Sequence, residues 1–253
     1  MRPYILVETN WLNVKDQKYE LAVLPWAATE AHNFHLPYSA DIIEANKISA
    51  EAAGLAWKRG AKLIVLPTIP IGVNTGQRDI KLDLNLNPST QTAVLKDIVD
   101  VLDHHDIRRL LIMNSHGGND FRQMIRELGV QYPLMFIATC NFYQALKLEN
   151  YFDEPGDHAG EMETSLLMYL APELVLPLDK AGQGKDKKLK ISAFREGWAW
   201  TERKWPQVTE DTGIGNPYKA TAEKGKRYFN DLVKKIGDLM YELATTDPDD
   251  LYQ

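Results

Sequence analysis

Cysteine is nearly absent: the 253 residues hold a single one, Cys140. A lone cysteine excludes an internal disulfide, and its place in an apolar run reads as a small buried hydrophobe. Long apolar runs are missing too, so no segment is expected to cross a bilayer. The N-terminal run Tyr4-Ile5-Leu6-Val7 is broken by Glu8 too soon for a signal peptide. A soluble cytoplasmic protein is the expectation. Basic charge is in deficit: 29 Lys and Arg stand against 35 Asp and Glu, a net charge of −6. A nucleic-acid partner, which wants a basic face, is therefore not expected. Histidine is scarce, six in all. Four of them, His32, His35, His116 and His158, fall in three short polar stretches, whereas His104 and His105 end a helical pattern.

Hydrophobic residues make up 44% of the chain, enough for a sizeable core, and one α/β domain over residues 1–253 is expected. Short, continuously apolar runs at Leu21–Leu24, Lys62–Pro67, Arg109–Met113 and Leu134–Ala138 read as buried strands, and Tyr4–Val7 as a further short one. Between them lie helical patterns at Ile42–Arg59, Thr90–His104 and Asp120–Val130. Strands alternating with helices predict a mostly parallel sheet covered on both faces. The stretch Thr68–Ser89 is a long Gly-, Asn- and Pro-rich loop of the kind that is often functional. A helix is expected from about Glu161 to Leu170, an irregular excursion over about 179–217, and a C-terminal helix over about 218–244. The excursion carries the lysine run Lys185–Lys190, read as a solvated loop, and Trp198, Trp200 and Trp205, read as packing or a subunit contact. The tail Thr245–Gln253 is polar.

The chemistry gathers after the predicted strands, where open α/β sheets place their sites. Thr29–Asp41 follows the first strand and holds Glu30, His32, His35 and Asp41. Glu30 and His32, two apart on extended backbone, project to the same side. Carboxylate plus imidazole is a ligand mix for zinc, manganese or iron rather than calcium. His116 follows the third strand in Ser-His-Gly-Gly-Asn, where the glycines let backbone approach an ion or ligand closely. His158-Ala-Gly-Glu161-Met-Glu163 opens a later helix. Glu161 suits the helix dipole, while Glu163 points elsewhere and is a candidate ligand.

The three motifs Glu30-Ala-His32-x-x-His35-Leu-Pro…Asp41, Asn-Ser-His116-Gly-Gly-Asn and His158-Ala-Gly-Glu-Met-Glu163-Thr-Ser, in this order, resemble the signature of the creatininase (creatinine amidohydrolase) family. The segment Thr212-Gly-Ile-Gly-Asn-Pro…Ala222-Glu-Lys-Gly225 is similar to that family's C-terminal pattern. The resemblance runs from about Ala22 to Leu243. It implies a three-layer α/β/α sandwich, assembled as a homo-oligomer, commonly a hexamer. It also implies two divalent ions per chain, zinc with manganese or iron. By motif, Glu30 and His116 would bind one ion and His32 the other, with Asp41 bridging. Creatininase carries its last ligand, a Glu, two residues after the histidine of the third-strand loop; here that place is Gly118, and Glu163 is the substitute. His35 would orient a ligand by hydrogen bonding. A metal-bridging hydroxide would attack the carbonyl of a C–N amide bond. The N–H groups of Gly117 and Gly118 would hold the oxyanion, and His158 would protonate the leaving nitrogen.

Two departures bear on substrate. The family's His-x-x-Phe-Pro-Gly-Thr pattern is missing from the long loop, and the tryptophan expected just ahead of His158 is replaced by the run Phe152–Asp157. These departures disfavour creatinine itself, and the expected substrate is a small-molecule amide: a cyclic amide, a formamide or a short peptide. Arg78 and Lys81 read as solvated rather than as contacts for an acidic substrate. Two other readings remain open: a metal-bound, non-catalytic binding or assembly protein of the same fold, and a metalloenzyme of sugars or keto acids.

Overall fold

The computed structural model describes residues 2–247 and 250–252; Met1, Pro248, Asp249 and Gln253, three of them in the polar tail, lie outside the described residues. The chain opens differently from the expected strand at Tyr4–Val7. Ile5 makes one parallel bridge to Val65, and a 3₁₀ turn follows at Leu6–Glu8. Ile5 alone of those four residues is buried, so a single bridge satisfies the run. A one-turn helix α1 (Trp11–Val14) leads to the first strand.

Strands β1 (Leu21–Trp26), β2 (Leu63–Val65), β3 (Arg109–Asn114) and β4 (Phe136–Asn141) form a sheet in the order β2-β1-β3-β4, every pairing parallel. They alternate with α2 (Ala40–Lys58), α3 (Pro88–His104) and α4 (Arg122–Gln131). Side chains alternate across a strand, and the sheet divides the core accordingly. Leu21, Val23, Leu63, Val65, Leu111 and Met113 pack on α2 and on the later helices α5 (Glu161–Leu170) and α8 (Ala222–Thr245). Ala22, Leu24, Trp26, Ile64, Leu110 and Ile112 face α3 and α4 through Leu95, Val99, Leu102, Met124 and Leu128. Three layers follow directly from that two-residue period. Both faces are buried, which is why these strands are continuously apolar.

Element ends moved by a few residues, each for a local reason. α3 begins at Pro88 rather than Thr90, because proline suits the first helical turn, where its missing N–H costs nothing. β4 runs Phe136–Asn141 rather than Leu134–Ala138; it lies at the sheet edge, its residues are only partly buried, and apolar content does not mark its ends. β1 continues through Pro25 to Trp26, and the Pro25 carbonyl accepts the Ile69 N–H. α8 starts at Ala222, where the Thr221 side chain accepts the Lys224 N–H as a cap. Its Gly225 crosses α5 so closely that a Cβ would collide with the Ser165 carbonyl oxygen.

The His158 segment is not a loop at the end of the parallel sheet. It forms β5 (Gly156–His158), paired antiparallel with β6 (Ile214–Gly215) in a separate two-stranded sheet. Gly215, at φ +137°, and Gly156 let the backbones meet; a Cβ on Gly215 would lie 2.7 Å from the Gly156 Cα. The excursion before β6 is irregular apart from a 3₁₀ turn at Leu178–Lys180 and the one-turn helices α6 (Ser192–Arg195) and α7 (Trp205–Val208). Asn33 ties it down. The Asn33 side chain donates to the Gly182 carbonyl (3.2 Å) and accepts the Gly182 N–H (2.7 Å), while the Asn33 N–H reaches Thr212 Oγ1 (2.9 Å). Asn33 sits at φ +55°, a conformation asparagine tolerates better than most residues.

Candidate metal centre

Glu30, His32, Asp41, His116, His158 and Glu163 come together at the carboxyl ends of β1 and β3, from five different pieces of backbone. Glu30 and His32 stand on the loop leaving β1, Asp41 in the first turn of α2, and His116 on the loop leaving β3. His158 ends β5 and Glu163 lies in the first turn of α5. The first five of these are buried, and Glu163 partly so.

Each of the three histidines uses one ring nitrogen on a backbone carbonyl. His32 Nδ1 donates to Glu30 O (3.2 Å), His116 Nε2 to Val73 O (3.0 Å), and His158 Nε2 to Ala31 O (2.8 Å). This fixes the tautomer and turns the other nitrogen of each ring into the carboxylates. Glu30 Oε1 is the common neighbour: 2.9 Å from His116 Nδ1, 3.8 Å from His158 Nδ1 and 4.0 Å from His32 Nε2. Asp41 divides its oxygens, Oδ1 lying 3.0 Å from His32 Nε2 and Oδ2 3.2 Å from His116 Nδ1. His32 Nε2 and Asp41 Oδ2 are nonetheless buried without a well-formed hydrogen bond. Donor atoms this close, two of them buried without a hydrogen bond, fit a shared cation.

Among the described residues, three trios could hold an ion: Glu30–Asp41–His116, His32–Asp41–Glu163 and Glu30–His32–His158. Asp41 belongs to the first two. The donor set is imidazole nitrogen and carboxylate oxygen throughout, chemistry suited to zinc, manganese or iron. With protons in place of ions, burial would push these groups toward their neutral forms, but their neighbours decide. Burial raises the Glu30 carboxyl, yet His116, His158 and His32 outweigh it and hold it far below the usual carboxylate range. Asp41 is likewise lowered against burial by His32 and His116. Burial lowers the His32 imidazole, but Asp41, Glu163 and Glu30 carry it up to about 10, and the His116 ring is also raised strongly by Glu30 and Asp41. Glu163 is raised, by burial first and by Asp41.

The remaining predicted residues fall as follows. His35 Nε2 shares a hydrogen bond with Thr164 Oγ1 at 2.9 Å, next in sequence to Glu163, and burial lowers its ring to about 4. Gly117 and Gly118 lie exposed on the wall of the cavity beside the cluster. A Cβ on Gly118 would collide with the Val73 carbonyl and the His116 ring, so no side chain can stand there without a shift of the turn. Glu163 meanwhile reaches the trio with His32 and Asp41, its Oε2 also accepting the Ala159 N–H. Arg78 and Lys81 are exposed and do not line the cavity. The tryptophans separate: Trp198 and Trp200 are exposed, whereas Trp205 is buried, donates to Thr212 O (2.9 Å) and meets the His158 ring edge-on at 5.5 Å.

Sequence reasoning missed three residues. Gln77, in the long loop, donates to Glu30 Oε2 at 2.6 Å. Asn33 anchors the excursion. Glu44, one turn after Asp41, is fully buried with neither carboxylate oxygen hydrogen-bonded; burial, then Glu163 and Asp41, raise it well above its ordinary value. The spacing of Asp41, Glu44 and Ile48 on one helix face was a usable signal for Glu44; Gln77 had none.

The cavity, about 1340 Å³, is lined by Glu30, Asp41, His116, His158 and Glu163 on one side and by Trp200–Arg203 and Trp205 of the excursion on another. Over the full length of both chains, the fold matches a Bacteroides fragilis protein provisionally named creatinine amidohydrolase, with a TM-score of 0.93 and 43% identity. A creatinine amidohydrolase of Pseudomonas putida is 26% identical over 174 residues, covering 60% of this chain and 65% of that enzyme, just under two thirds of its length. A mycofactocin precursor peptide peptidase of Mycobacterium ulcerans is 25% identical over 221 residues, covering 83% of this chain and 80% of that one. The family model described as creatinine amidohydrolase matches residues 7–240, and with its parallel sheet and its cluster of histidines and carboxylates the chain belongs to the creatininase family.

Proposed function

We propose that the protein is a metal-dependent hydrolase of a C–N amide bond in a small molecule, a cyclic amide, a formamide or a short peptide. One observation carries the reading: three buried histidines each give one ring nitrogen to a backbone carbonyl and aim the other at the same carboxylates. Glu30, Asp41 and His116 would hold one ion and His32, Asp41 and Glu163 a second, zinc with manganese or iron. Divalent ions held there would acidify a water and polarise the amide carbonyl. His158 is the group to move a proton. Its Nε2–H is committed to the Ala31 carbonyl, so Nδ1 is the nitrogen that takes a proton and gives it to the leaving amine. Gly117 and Gly118 line the cavity, and their backbone N–H groups would be the donors to a developing oxyanion. The cavity exceeds the roughly 300–1,000 Å³ of ordinary small-molecule sites, which leaves room for a short peptide as well as a compact ring. The protein is further proposed to be cytoplasmic and to assemble with copies of itself, the assembly being checked by light scattering.

Metal analysis of purified protein is expected to find close to two ions per chain; none would sink the reading. Glu30→Gln is expected to abolish hydrolysis with the fold intact. A screen of creatinine, hydantoins, formamides and short peptides selects the substrate, and failure of all four on fully loaded protein would favour a binding role.

A further inference from the structure

Glu30 is gripped from outside the histidine cluster. Its Oε1 faces the three rings, but its Oε2 accepts a hydrogen bond from Gln77 Nε2 at 2.6 Å. Gln77 is 7% exposed. A carboxylate can only accept, so the NH₂ end of the amide must face Glu30. The same NH₂ lies 3.3 Å from Asn74 Oδ1, which places it between two acceptors. Asn74 is held in turn: its side chain donates to the Leu84 carbonyl (3.1 Å) and its N–H to Asn85 Oδ1 (2.8 Å).

The turn Thr75–Gln77 is also pressed from the far side by the strap of residues 200–205. Thr75 Oγ1 donates to the Glu202 carboxylate, and a Cβ on Gly76 would collide with the Arg203 carbonyl oxygen. The strap's other contacts reach the opposite flank of the cluster. Arg203 pairs with Asp157 at 2.6 Å, next to His158, and the Trp205 ring meets His158 itself.

We propose that Gln77 is a positioning residue that holds Glu30 Oε2 so that Oε1 alone faces the histidines, with the strap at residues 200–205 setting where Gln77 stands. This rests on the metal reading above. A carboxylate free to rotate can offer either oxygen or both; pinning one removes that freedom before an ion arrives. Groups in this relation to a ligand typically change metal affinity by about 10–100-fold when removed.

The test measures Zn²⁺ affinity by competition with a chromophoric chelator, and the visible absorption of the Co²⁺-loaded protein, for three chains. Gln77→Met keeps the length of the side chain but cannot donate. Gly76→Ala forces the turn and the strap apart without altering any residue of the cluster. Gln77→Met is expected to weaken Zn²⁺ binding by about 10–100-fold and to shift the Co²⁺ spectrum, while its far-ultraviolet circular dichroism stays that of the parent. Gly76→Ala is expected to do the same to a smaller degree. A space-filling role for Gln77 predicts unchanged affinity and spectrum in Gln77→Met, and that result overturns the proposal. Should Gln77→Met not fold, parental affinity in Gly76→Ala overturns it instead. Tight parental binding with no change in the variants defeats this role alone; no binding by the parent defeats the metal reading and this role together.

Discussion

Residues 29–41 and residues 179–217 are both irregular and both carry charged side chains, yet they are held in opposite ways. In the first stretch, Glu30, His32, His35 and Asp41 are buried, and every charge has an opposite or a hydrogen-bonding group against it. In the second, the lysines and most of the acids lie in water, and order comes from the base: Asn33 on Gly182 and Thr212, and Asp211 accepting the N–H groups of Gly184 and Gly213. Burial makes a charged residue costly unless it is paired. The motif loop therefore tolerates little change, whereas in the excursion the exposed lysine run at residues 185–190 has more freedom than its base or the strap at residues 200–205. The two stretches meet at Asn33, which belongs to the motif loop by sequence and to the excursion by its bonds.

Four experiments break or sharpen that contrast. The largest effect is expected from Asp41→Ala. Without ions, this takes from the raised His32 and His116 rings one of the two carboxylates they share, and breaking a buried pair costs about 3–5 kcal/mol. Denaturant unfolding of chelated protein measures that loss, and metal analysis should show both trios emptied, since Asp41 serves each. Parental stability would refute the pairing of Asp41 with the two rings.

Asn33→Ala comes next. It removes two side-chain hydrogen bonds to Gly182, each worth about 1 kcal/mol, and places alanine at a positive φ. Hydrogen exchange should quicken across residues 179–217 and not in the parallel sheet; uniform quickening would mean the excursion is part of the main core after all.

A smaller effect involves pH. Burial, with Glu30 adding to it, raises the Asp83 carboxyl from 3.8 to about 6, although its bond from the Ala31 N–H works the other way. The folded chain thus holds this proton more tightly than the unfolded chain. Its contribution is fully present below about pH 4 and is lost as pH rises to about 6. Asp83→Asn keeps the acceptor oxygen and lacks the titration, so chelated Asp83→Asn should gain on chelated parent between pH 4 and pH 7. A constant difference across that range would refute it. The smallest change is expected from Trp198→Ser and Trp200→Ser, each within about 0.5 kcal/mol of the parent, because both rings are exposed. A drop in light-scattering mass in either variant would instead assign the exposed rings to contacts between copies.

Much of the parallel sheet was legible because its period is local. Leu21–Leu24 and Arg109–Met113 announce buried strands by continuous apolar content, and the structure extends each by a residue or two. The cluster was legible in part for a related reason: residues that follow parallel strands emerge at one end of the sheet, so Glu30, His32 and His116 were bound to come near one another. What failed was whatever depends on pairing between distant segments. β5 pairs with β6 across more than fifty residues of chain, and three residues of strand with glycines carry no periodic signal. The Tyr4–Val7 run had the composition of a strand but only one neighbour to pair with.

The sequence by itself determined the alternation of strands and helices, the two-faced core and the kinds of donor atom that gather after the strands. Tertiary structure alone decided which nitrogen of each histidine faces the carboxylates, because that choice belongs to the Glu30, Val73 and Ala31 carbonyls. It alone brought Gln77 to Glu30 across 47 residues and set buried Trp205 apart from its two exposed neighbours. The physical reason is range: backbone preference and hydrophobic period act over a few residues, whereas the partner of a buried polar atom is whatever the packed fold delivers to it.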